Sequence, residues 1–207
     1  MDWAGESDGG GYAGPAVNLP TANTSRPRWK IAPTEGPGEA LRFVDEAGST
    51  VGTLISFNAI EDAEAQTLEV PGVVLIRSGW PGPNEPPAWM PMQRTRAMMG
   101  LEALERVSHG RTLCLWPRAT DAVSDIPGIL AFMRAHAAWK FLLDPAALLT
   151  PEMEKRAEDH AERMLEALAG HPALVGLVVP PPGHVVQSSF AKAGDWFGPR
   201  VALVEMG

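Results

Sequence analysis

Asp144, His184 and Glu205 are the residues of this chain whose types suit acid–base chemistry, while Arg77, Arg118 and Trp116 suit the holding of an anionic or sugar-like ligand. Each stands where a short apolar run gives way to a loop. Asp144 follows the run 139–143 and precedes Pro145; its carboxylate could act as base or ligand, or accept hydrogen bonds from loop N–H groups and fix the turn. Glu205 ends the apolar run 200–205, where a solvated carboxylate is the competing role. His184 follows Pro180-Pro-Pro-Gly183 and could serve as base or ligand, against the simpler role of a solvated loop histidine. Arg77 and Arg118 each follow an apolar run, and two guanidinium groups could clamp a phosphate or carboxylate. Trp116 could stack on a sugar ring or plug a pocket, and Trp80, Trp89 and Trp196 lie on similar loops.

The elements that position these residues are legible from hydrophobic periodicity. Five runs, at 73–76, 111–116, 139–143, 174–179 and 200–205, are short, continuously apolar and bounded by Gly or Pro, as expected of strands buried on both faces. Between the first four lie segments of helical period. The segment 92–107 places Ala97, Leu101, Leu104 and Ser108 on one line. The next helix has Ser124 or Asp125 as its cap, Pro127 in its first turn, and Ile126, Ile129, Leu130, Met133 and Ala137 inward. Thr150-Pro151 opens what reads as the longest helix, with Met153, Ala157, Ala161, Met164, Leu165 and Leu168 inward and Gly170 as its stop. Strands joined by helical crossovers run parallel, and functional groups of such folds gather where strands end. Ahead of them, 41–44 and 51–57 flank a Gly-containing turn and suggest a hairpin, with a helix over 39–47 as the alternative. Residues 59–68 suit a short acidic helix.

A net charge of −8 disfavours a nucleic-acid partner, which selects a basic face. The sole cysteine, Cys114, lies mid-strand and reads as a small buried apolar residue rather than a nucleophile. No apolar stretch is long enough for a transmembrane helix, and the N-terminus lacks the pattern of a secretory signal, so a cytoplasmic protein without a membrane partner is expected. Residues 1–38 are rich in Gly, Pro, Ser and Thr and read as a flexible arm, with Trp29-Lys-Ile31 as a short strand or docking point within it. The folded domain is then expected over 39–207.

The order of these pieces resembles the second half of the xylose isomerase-like barrels, which include sugar phosphate isomerases and epimerases. The resemblance rests on Val74-Leu-Ile-Arg-Ser-Gly79, His109-Gly-Arg-Thr-Leu-Cys-Leu115, Phe141-Leu-Leu-Asp-Pro-Ala-Ala-Leu-Leu149, the run 174–179, and Gly198-Pro-Arg-Val-Ala-Leu-Val-Glu205, and covers about residues 70 to 207. It implies an α/β fold, a parallel TIM-barrel-like sheet, incomplete or modified at its N-terminal side because 39–70 offers two strands where the family has three βα units. It also implies a divalent metal held by Glu, Asp, His and Glu at strand ends. Here Asp144 and Glu205 match that set, while Trp116, Ala147, Val178 and Pro180 stand at its other positions. The expectation is therefore no cofactor and no tight transition-metal site.

Three readings follow from the residues and the resemblance. The first is a binding or scaffold protein taking a small carbohydrate or anionic ligand. The second is an altered sugar phosphate isomerase or epimerase working through Asp144, Glu205 and His184. The third is a partial barrel completed by a partner chain or a second copy.

Overall fold

The computed structural model describes residues 26–33, 41–55, 72–79, 86–108, 110–193 and 196–206. Eight strands form a closed barrel in chain order: β1 (Arg28–Pro33), β2 (Leu41–Asp45), β3 (Thr50–Ile55), β4 (Val73–Ile76), β5 (Leu113–Leu115), β6 (Lys140–Leu143), β7 (Leu174–Val179) and β8 (Ala202–Met206). From β3 to β8 every neighbouring pair is parallel, and β8 closes onto β1 in parallel as well. Only β2 runs the other way, antiparallel to both β1 and β3. Four α-helices are described: α1 (Pro91–Val107), α2 (Ile126–Ala135), α3 (Ala157–Leu168) and α4 (Gln187–Ala193).

The hairpin over β2 and β3 forms as the alternating pattern requires. Asp45 Oδ1 accepts from the N–H groups of Ala47 and Ser49 at 3.0 and 2.8 Å. Gly48 takes φ +81°, a left-handed conformation that glycine adopts without strain. The short helix expected over 59–68 lies outside the described residues.

Three expectations need correction. The barrel is closed, not incomplete, so no partner chain or second copy is needed to finish it; its N-terminal third is modified, with three successive strands around one reversed β2. The arm does not extend to residue 38, because β1 pairs with both β2 and β8 and buries Ile31; residues 1–25 lie outside the description. The helix opened by Thr150-Pro151 is not continuous. Residues Pro151–Arg156 form a 3-10 turn, Thr150 makes no side-chain cap bond, and Arg156 leaves helical geometry at φ −133° before α3 begins. Among the described residues the longest helix is α1, at 17 residues.

Alternation along each strand sorts the core into two layers. Ile31, Phe43, Leu75, Cys114, Trp116, Leu142, Val178 and Val204 fill the barrel interior. Val74, Ile76, Leu113, Leu115, Phe141 and Leu143 point outward and pack beneath the helices, against Leu101, Leu104, Ile129, Leu165 and Leu168. Ala97, Leu101 and Leu104 face inward on α1, and Asp125 caps α2 by accepting from the Gly128 N–H at 2.7 Å. Gly176 keeps one interior position small. A Cβ there would come 2.6 Å from Leu142 and 3.3 Å from Val204, so the glycine makes room for the Leu142 side chain inside the barrel.

Candidate functional site

Because β4 to β7 are parallel, the loops that follow them meet at one end of the barrel. The loop after β5, residues 116–125, is the centre of that end. It is tied down on several sides. Trp116 N–H donates to the Ile76 carbonyl at 2.8 Å, Ala119 N–H to the Ala147 carbonyl at 2.9 Å, and Ala122 N–H to the Ser78 carbonyl at 2.9 Å. The buried Ser78 hydroxyl accepts from Val123 N–H at 2.9 Å. A loop so held can present polar side chains at fixed positions.

The parity of the strands decides which of them point inward. Cys114 is interior and Leu115 exterior, so Trp116 returns to the interior, where it is fully buried and meets Phe43 edge-on at 5.7 Å between ring centroids. Arg118 lays its guanidinium over the Trp116 ring, 4.9 Å from the centroid. By the same count Leu142 is interior, Leu143 exterior and Asp144 interior. Asp144 is 7% exposed and accepts from Ala147 N–H at 3.1 Å. That contact is the loop-fixing role open to it from sequence.

Four charges crowd this end. Arg77 donates to Asp121 Oδ1 at 2.9 Å, with the Asp121 side chain wholly buried. Burial pushes the Asp121 carboxyl up, and the hydrogen bond and charge of Arg77 oppose that rise. Burial likewise raises Asp144; the Ala147 N–H, the Arg118 charge, the Trp116 indole and His184 act against it in that order. The indole N–H does so from nearby without hydrogen-bond geometry. Arg118 is lowered by burial and by the Arg77 charge, and supported by Asp144 and Asp121. Yet Arg118 closes no salt bridge among the described residues, and its buried Nε has no hydrogen-bond partner there.

The structure thus brings Arg77, Arg118, Trp116, Asp144 and His184 together and leaves Glu205 apart. His184 follows β7; its Nδ1 accepts from Val186 N–H at 3.4 Å. Glu205 comes after the interior Val204, so it faces out of the barrel. There it pairs with Arg28 on β1 at 2.9 Å, both side chains well exposed. Asp121 was not picked out from the sequence. It lies in a loop rather than at a strand end, and its partner Arg77 is 44 residues away along the chain. A buried arginine near a strand end needs an acid, and that need is the signal that points to it.

The donors do not fit the metal implied by the resemblance. Among the described residues no three of His, Cys, Asp and Glu gather closely enough to hold an ion. Asp144 already serves Ala147 N–H and lies in the field of Arg118, and the neighbouring Trp116 offers no ligand atom to a cation. Cys114 is fully buried and its thiol is pushed far up by burial, so it is no nucleophile. No described helix is long and apolar enough to cross a membrane.

No family model, no curated protein and no solved structure matches this chain.

Proposed function

We propose that the chain is a divergent xylose isomerase-like barrel that binds a small anionic ligand, of sugar phosphate or carboxylate type, at the mouth formed after β4 to β7. The observation that carries this reading is Arg118. Its guanidinium is pre-organised on an aromatic face, is half-buried, and has no ion-pair partner among the described residues. A planar donor fork held in this way suits a phosphate or carboxylate, and its prior ordering lowers the entropic cost of binding. Trp116 supplies the platform rather than a metal ligand. The run of parallel strands that ends in Asp144 and Glu205 supports the family resemblance.

Asp144 gives the binding a pH dependence. A bound anion beside it favours the protonated carboxyl, which can then donate a hydrogen bond to the ligand. Affinity therefore rises as pH falls from neutrality towards the raised Asp144 value. The isomerase reading draws support from the same residue, since a carboxyl raised by burial beside a histidine is a fit acid–base group. It lacks its second carboxylate, because Glu205 lies outside the barrel.

Calorimetric titration with ribose 5-phosphate and with ribose tests the proposal. Ribose 5-phosphate binds and ribose does not; Arg118→Gln weakens binding by about tenfold or more. Equal binding by wild type and Arg118→Gln contradicts it. Conversion of the aldose to a ketose, lost in Asp144→Asn, would replace it with the isomerase reading.

A further inference from the structure

Outside the barrel, a groove of about 930 Å³ runs between the start of α1, the first turn of α2 and the face of α3. Its lining includes none of Arg77, Trp116, Arg118, Asp121, Asp144 or His184. Its size is that of small-molecule sites, and its surface is mostly apolar, with Ile126, Leu148, Met153 and Met164 among the lining residues. Trp89 stands at it with 48% of its surface exposed.

Its charges are unlike those of the rest of the chain. Arg94 from α1 and Arg163 from α3 line the groove, with His160 one turn before Arg163. Neither arginine side chain has a hydrogen bond or ion pair among the described residues. The one lining acid, Asp125, is committed to the cap of α2. Within a protein of net charge −8, two uncommitted guanidinium groups beside an apolar surface form a local reversal of sign.

We infer that this groove binds an amphipathic anion, a molecule with an apolar body and a single carboxylate-type head. The body covers the Ile126, Leu148, Met153 and Met164 surface, and Trp89 shields it from solvent. The head is taken by Arg94 and Arg163. A cation of the same shape gains the apolar contact but meets the two arginines, so head-group charge decides binding.

Titration of the full chain with decanoate and with decylammonium, followed calorimetrically, provides the test. Decanoate binds with one-to-one stoichiometry and decylammonium does not. The Arg94→Gln/Arg163→Gln double variant weakens decanoate by about tenfold. Ala131→Trp, which fills the groove from an exposed position on α2, abolishes it, while circular dichroism shows both variants folded. Arg118→Gln leaves decanoate binding unchanged, which separates this site from the barrel mouth. Equal binding of the two head groups, or decanoate binding untouched by Ala131→Trp, overturns the inference. So does a wild-type dimer that the double arginine variant dissociates, since the groove would then hold a second copy.

Discussion

Asp144 and Glu205 are both carboxylates at or just past the end of a parallel strand, on β6 and β8, with only β7 between them. Asp144 follows an outward leucine and so turns into the barrel, where it is buried among Trp116, Arg118 and His184. Glu205 follows the inward Val204 and turns out to solvent and Arg28. One residue of parity separates a group buried at the barrel mouth from a surface ion pair. The barrel mouth is therefore defined by inward parity at the strand ends and by the loop after β5, not by the occurrence of acids in the sequence.

The largest break in this contrast comes from Trp116. It forms the floor on which the inward groups stand, and Trp116→Ala should destabilise the protein by about 3–5 kcal/mol through lost burial and the cavity left against Phe43. Chemical denaturation measures this; a loss below about 1 kcal/mol would mean that the floor is not part of the core.

A pH-dependent effect tests the burial of Asp144 next. The folded-state value of Asp144 is raised, so between its ordinary value of 3.8 and that raised value the unfolded chain has lost the proton and the native state keeps it. Stability contributed by this group is thus present at lower pH and falls as pH rises through that window. Asp144→Asn removes the titration while keeping an oxygen for Ala147 N–H. Relative to wild type, the variant should gain stability as pH increases from about 4 towards neutrality. A difference that does not change with pH would place Asp144 in water.

The smallest effect belongs to the outer end. Glu205→Gln removes an exposed pair and should shift stability by no more than about 0.5 kcal/mol, with ribose 5-phosphate affinity unchanged. A larger stability change, or lost binding, would erase the distinction between the two ends.

The sequence made the parallel half readable because strands buried on both faces are continuous apolar runs. Val73–Ile76 and Leu174–Val179 stand where that pattern puts them, and the hairpin with Gly48 follows from local turn chemistry. Strand β1 was obscured by its setting. Arg28 and Lys30 face outward, Pro33 ends it, and only Trp29 and Ile31 carry the alternation, too short a signal to stand out from a Gly- and Pro-rich segment. Closure rests on the pairing of β1 with β8, with Arg28 opposite Leu203, 175 residues apart, which no local pattern encodes. At the site, Asp144, Arg118 and Trp116 were visible as strand-end residues. The outward turn of Glu205 was not, because it depends on the register of the last strand, and the role of Asp121 depends on a distant arginine.

Arg118 is the group proposed to receive an anion. Its Nε–H resonance, followed by NMR in uniformly labelled protein during titration with ribose 5-phosphate, reports on it directly, with Arg28 at the outer end as the internal control. The predicted result is a saturable shift at Arg118, larger at lower pH as Asp144 takes up its proton, and no shift at Arg28. An unmoved Arg118 resonance, or equal shifts at Arg118 and Arg28, would contradict the proposed site.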